Sequence, residues 1–518
     1  MKILCSFLTK FASIICWSLS CFDRVIFKGH LPISRPFQME NFIDYTLKIR
    51  RCDFFKKTGP QWSQRLVDHA KGFAAKYDRP FERRPGKVDK DAWAKQQLLD
   101  RPVKEGLVGI VCVTENCGTF KLAHGDGRPH LVYAQVPQRV LYYYFLDRDL
   151  GFMHVRLQTW APFTCQIYVN GHDYVAQQMK HRDLAFEQTD NAFTQLADPK
   201  QAQRIADRFA RLRWPKILDR YARQVNPLLP KELKDLRDGK GLYHYWVTNQ
   251  VEFATDLLFV SKHALAGLYL RLLEFAFLTF SPKKILSYLG RAYHERFDGE
   301  VQTHYKSARE PGACINHTVK KNWLKMYDKL ALLLRVETVI NHPGDFKVRR
   351  ECQHRDGSVS LGWYPMCKGV GNLPHYQKHA LASNYRYLNA LAAVDDPTPG
   401  YDDLALLTEA RRQRGRSYAG FNPARQVEAR LLAAVLAGEH LAKGFLNRDI
   451  RAVLYPTSKI SKQQSRNSAA VGRLLKRLHV RGMLAKIPHT RRWRVTEKGR
   501  RIIGDVLRTY RRYSTQAA

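Results

Sequence analysis

The chain has 518 residues, with 86 Lys and Arg against 47 Asp and Glu, for a formal net charge of +39. A hydrophobic content of 45% and an aromatic content of 12% exclude a disordered basic protein, and the length calls for roughly two to four domains. Charge this lopsided points to a polyanionic partner, because each neutralised phosphate adds affinity through counterion release.

Residues 1–22 are apolar apart from Lys2 and Lys10. Lys10 cuts the run into pieces too short to cross a bilayer, so a helix packed on the body is expected, and no membrane. Residues 22–29 read as a first strand with Asp23 at its head. Residues 36–105 are polar and mostly helical. Strand patterns follow from 107 to 170, punctuated by turn signals at Gly125-Asp126-Gly127 and Asn170-Gly171. Residues 172–300 return to helices and read as an insertion whose apolar stretch 263–280 belongs to the core. Arg309-Glu310-Pro311-Gly312 opens a second strand set that reaches Val348. No internal repeat is visible. The ten cysteines never fall at C-x-x-C spacing, which argues for reduced thiols in a cytoplasmic protein rather than a zinc site. The expected fold is α+β: a basic body over 1–394, a linker over 395–424 and a DNA-binding domain over 425–518.

That last segment carries 22 Lys and Arg against 5 Asp and Glu, a net of +17, and the preceding residues still hold +22. Apolar residues recur at i, i+3 and i+4 from Gln426 to Leu436, and Gly438 ends that helix. A short second helix follows Asn447. A third runs from about Ser465 to His479, with Val471, Leu474, Leu475 and Leu478 on one face and Arg466, Asn467, Arg473, Lys476 and Arg477 on the other. Two short strands then flank a basic tip holding Arg491 and Arg492, with Arg494 on the second strand. The order of three helices, hairpin and helix resembles winged helix-turn-helix regulators of the MarR-like kind. That resemblance implies that Arg466, Asn467 and Arg473 meet base edges, and that Lys476, Arg477, Arg491, Arg492 and Arg494 meet phosphates or the minor groove of double-stranded DNA.

Two segments of the body suggest chemistry. The strand 151–160 alternates, putting His154, Arg156, Gln158 and Trp160 on one face, a set suited to a metal or to single-stranded DNA or RNA, with Trp160 stacking a base and Arg156 on phosphate. Further on, Tyr327-Asp328-Lys329 precedes Arg335-Val336-Glu337 across a turn. This pair of strands resembles rolling-circle replication initiators, in which a metal activates the scissile phosphate and a tyrosine attacks it. The resemblance implies a tyrosine nucleophile, for which Tyr293, Tyr305 and Tyr327 are candidates. Asp23, His154, Asp328 and Glu337 each lie on or beside an expected strand whose opposite face is apolar, and are expected to meet on one sheet as a catalytic set. His154-Val155-Arg156 departs from the family's His-hydrophobe-His. Asp23, Asp328 and Glu337 equally suit a Mg²⁺ or Mn²⁺ cluster, as in transposases of the ribonuclease-H type. A structural cross-strand ion pair is the competing reading for Tyr327-Asp328-Lys329 and Arg335/Glu337. The expected function is DNA strand cleavage by a mobile-element protein. The alternatives are a non-catalytic regulator and an RNA-binding or RNA-guided protein, and a second copy of the chain is a candidate partner.

Overall fold

The N-terminal apolar run forms only a short helix, Ser6–Lys10, before the chain enters a long strand, β1 (Ile15–His30). The strand starts well ahead of Phe22 because Leu19 to Asp23 are buried on both faces. Such a run lacks alternation, and periodicity alone cannot tell it from a buried helix. The computed structural model describes all residues except 1–4, 86–87, 125–128, 292–299, 307–312, 396–404, 414, 424, 438–439, 441–443, 457–460 and 517–518. Tyr293, the turns expected at 125–127 and 309–312, and much of the expected linker lie outside the described residues.

The fold is mixed α+β around a large sheet. Its strands are β1, β2 (Phe81–Arg83), β3 (Gly106–Ala123), β4 (His130–Asp147), β5 (Gly151–Gln158) and β6 (Cys165–Val169). After a separate hairpin of β7 (Phe186–Thr189) and β8 (Ala192–Leu196) come β9 (Tyr245–Phe259), β10 (Val301–Lys306), β11 (Cys314–Val319), β12 (Asn322–Lys329) and β13 (Leu333–Ile340). The sheet order is β10-β11-β12-β13-β9-β1-β6-β5-β4-β3-β2. β1 pairs antiparallel with β6, and the meander β3 to β6 is antiparallel throughout. The order contains a repeat that the amino-acid sequence hides. In each half a long strand (β1 or β9) leads through helices into a four-strand run (β3 to β6, or β10 to β13) whose last member returns beside that long strand.

By compactness the chain forms two discontinuous units: Met1–Ser18, Thr255–Thr338 and Ala380–Ala518 in one, Leu19–Ala254 and Val339–His379 in the other. This division differs from one placed at 395–424. In the first unit, Leu431, Leu432, Val471, Leu475, Ile502 and Ile503 share one apolar cluster with Leu278 of the helix Lys262–Thr279 and with Phe421. The C-terminal segment therefore packs on residues far away in sequence. No single described helix is long and apolar enough to cross a membrane.

Histidines held neutral by burial make the fold acid-sensitive. Burial pushes His154 down to about 4 and His317 down to about 3, while burial pushes the Asp173 carboxyl up to about 6. Each histidine is neutral in the fold and protonates in the unfolded chain below pH ~6.5, so its contribution is complete above that pH and is lost as pH falls. Asp173 titrates in the opposite sense and offsets one of them. His30, which burial also pushes down to about 4, acts in the same sense as His154 and His317, so net stability is expected to fall as the pH drops from 7 to 5. Denaturant melts at pH 7, 6 and 5 check this, and a midpoint unchanged across that series would refute it.

Candidate functional site

The helix Ser461–Val480 sets the geometry of the C-terminal segment. Successive residues turn by about 100°, so Arg466, Arg473 and Lys476 fall on one stripe while Val471, Leu475 and Leu478 face the apolar cluster. All three cations of the stripe are exposed. Asn467 lies about 100° from Arg466, on the buried side, where Gln463 Nε2 donates to its Oδ1 at 3.2 Å. That placement removes Asn467 from the expected base-reading set.

Arg477 is also removed, for a different reason. Its guanidinium lies 4.0 Å from the Phe421 ring centroid and donates to Ala419 O at 3.0 Å, to Gly420 O and to Glu428 Oε1 at 3.0 Å. Arg481, only 1% exposed, donates to Glu409 O at 2.7 Å and Ala419 O at 2.9 Å. Together the two arginines staple Glu409 and residues 418–421 onto the end of the helix.

Two short strands follow, β14 (Leu484–Lys486) and β15 (Trp493–Val495), paired antiparallel, with Phe445 bridging to Trp493. Arg491 and Arg494 are exposed on this hairpin, whereas Arg492 Nη1 donates to Gly444 O at 3.1 Å. The closing helix Glu497–Gln516 starts at Thr496, whose Oγ1 accepts from Gly499 N at 2.9 Å.

In the sheet, the acids do not gather as the sequence suggests. Asp328 alternates away from Lys325 and Tyr327 on β12 and lies beside Tyr269, with burial raising its carboxyl above the usual range. His154 stacks on Tyr168 at 5.0 Å, and the acid beside its Nδ1, at 3.6 Å, is Asp91 of a helix. Arg156 is taken by Glu115 at 2.9 Å, and Trp160 packs against Phe55 and over Gly59. None of these three is presented for a metal or a base.

Tyr327 and Glu337 do meet. The Tyr327 hydroxyl donates to Glu337 Oε2 at 2.8 Å, and Lys325 Nζ reaches Oε1 at 3.0 Å. Glu337 is 1% exposed. Asp23, also buried, accepts from Asn191 Nδ2 at 2.5 Å and has His172 Nδ1 at 3.1 Å. His172 is carried there by the helix Gly171–Lys180, which Gly171 lets come so close that a Cβ would sit 2.1 Å from Phe22 O. The third acid is Glu252 of β9, held by Gln250 Nε2 at 2.7 Å. Asp23 and Glu252 belong to the unit that contains Leu19–Ala254 and Glu337 to the other, and each is buried. Glu252 was missed because 172–300 reads as helical. Its signal is present in the β-branched and aromatic run of β9, where Glu252 and Asp256, four apart on a strand, share a face.

Asp256 anchors this region. Its two oxygens accept from Arg335 Nε at 2.6 Å and Nη2 at 2.7 Å, with both side chains buried. Arg335 thus pairs with Asp256 of β9.

No family model, curated protein or solved structure matches this chain.

Removing one partner of a buried, doubly hydrogen-bonded pair strands the other charge, at a cost of about 3–5 kcal/mol. Asp256→Ala is expected to lose stability on that scale in denaturant melts, and a loss below about 1 kcal/mol would show that the pair is dispensable.

Proposed function

We propose that this protein binds double-stranded DNA through residues 426–516 and cleaves DNA strands, in the manner of a mobile-element transposase or replication initiator. The observation that carries the reading is the exposed stripe of Arg466, Arg473 and Lys476 on a helix whose opposite face is core, beside a hairpin bearing Arg491 and Arg494. In a winged helix-turn-helix, a helix so placed enters the major groove and the hairpin meets the minor groove or phosphates. Asn467, Arg477 and Arg492 then serve the module's own structure.

The Tyr327–Glu337–Lys325 group supports the cleavage step. Tyr327 Oη would attack the scissile phosphorus as its proton passes to Glu337. A phenolic O–P bond forms, the bond from phosphorus to the sugar oxygen breaks, and the released strand end takes up a proton as a hydroxyl. Lys325 holds the Glu337 carboxylate in place.

Two measurements on the full chain test the reading. Arg473→Ala or Lys476→Ala should weaken duplex binding, and for a phosphate contact the salt slope of log K should shrink by about one. Wild-type affinity and slope in the double variant would remove this helix from the interface. With supercoiled DNA and Mg²⁺ or Mn²⁺, wild-type protein should nick and leave a covalent protein–DNA adduct on denaturing gels. Tyr327→Phe should abolish both while binding is kept, and undiminished nicking by that variant would overturn the step.

A further inference from the structure

A cavity of about 900 Å³ in the Leu19–Ala254 and Val339–His379 unit takes no part in the chemistry above. Tyr133 and Tyr245 line it although 64% and 67% exposed, as do the exposed cations Arg35 and Lys240. Large exposed rings standing together with cations are what a stacking surface for bases needs, since every base has a π-face and a neighbouring phosphate. Buried Trp246 and His244 line the same cavity.

His244 is the feature that marks a ligand. Its side chain is 1% exposed, and its Nδ1 lies 3.0 Å from Oδ1 of the fully buried Asp219. Asp219 also accepts from Tyr243 N at 3.1 Å and Trp246 Nε1 at 3.3 Å. Burial raises this carboxyl, but the hydrogen bond from His244 and these donors outweigh it and hold it below the usual range. An ionised Asp219 fixes the proton on Nδ1, leaving Nε2 as a bare acceptor. Nε2 is buried and has no hydrogen-bond partner among the described residues. A buried acceptor left unmatched costs stability, and a ligand N–H would recover it. Asp238, the one carboxylate among the described residues that line the cavity, accepts from the backbone N–H groups of Lys240 and Leu242 at 2.9 and 2.8 Å.

We propose that this cavity holds one unpaired nucleotide of a nucleic-acid strand. The base stacks on Tyr245 or Tyr133 and gives an N–H to His244 Nε2, and its phosphate meets Arg35 and Lys240. The site is separate from residues 426–516 and does not depend on duplex binding there.

The test uses the full chain and fluorescein-labelled eight-nucleotide strands of non-self-complementary DNA and RNA, read by anisotropy, with AMP and CMP as competitors. The wild type should bind at least one strand, and the mononucleotides should compete. Tyr245→Ala and Lys240→Ala change exposed side chains, so melting behaviour should be kept. Tyr245→Ala should weaken strand binding about 5- to 100-fold, the scale of one base–aromatic stack, and Lys240→Ala should weaken it at low salt. Affinity for a duplex, measured in parallel, should not move with either variant, so failure of this site and failure of the C-terminal reading are separable. Strand binding at wild-type strength in both variants, or no competition by mononucleotides, would overturn the proposal.

Discussion

The Asp256–Arg335 pair is the constraint on which the candidate chemistry depends. A guanidinium and a carboxylate removed from water lose several kcal/mol of hydration each, and only a two-point, well-aligned contact recovers it. Sliding β13 against β9 by one residue would turn both partners to opposite faces and leave two bare charges. The pair therefore locks the register. Glu337, two residues beyond Arg335, is sent to the same face, where Lys325 and Tyr327 of β12 reach it at 3.0 and 2.8 Å. Beside the pair, Thr338 donates to Asn384 at 2.6 Å, and Asn384 donates to Thr255 at 3.1 Å.

Charge is divided by what surrounds it. Arg477 and Arg481 meet an aromatic ring and a row of carbonyls, and their guanidiniums become part of the packing. Arg466, Arg473 and Lys476 meet none of this and stay in water, where their mutual repulsion is tolerable and a phosphate chain would relieve it. A net charge says how much phosphate a surface can neutralise, but only burial and partners say which cations are available for it.

Much of the architecture was legible. The strands of 107–170, the β12–β13 pair and the helix-helix-helix-hairpin-helix order from Gln426 follow from periods of 2 and 3.6 residues, which local sequence carries directly. Asp23, Tyr327 and Glu337 were also legible as polar residues on strands with apolar neighbours. Three things were not. β9 sits in a long helical stretch and is buried on both faces from Val251 to Phe259, so it shows no alternation, and with it Glu252 and Asp256 were hidden. Asp328 was grouped with Tyr327, although adjacent strand residues point to opposite faces. Arg477 lies on the polar side of its helix, and nothing local announces that residues 419–421 will fold over it. Each failure comes from contacts distant in sequence.

The central claim is that the exposed stripe of the helix Ser461–Val480 lies against duplex DNA. Ala469 is exposed within that stripe, between Arg466 and Arg473, and Val427 is exposed on the helix Gln426–Val435. A benzoylphenylalanine photocross-linker placed singly at each position in the full chain tests the claim without removing a cation. The account predicts a salt-sensitive cross-link to duplex DNA from position 469 and little from position 427. Equal cross-linking from both, or none from 469 under conditions where the chain binds DNA, would contradict it.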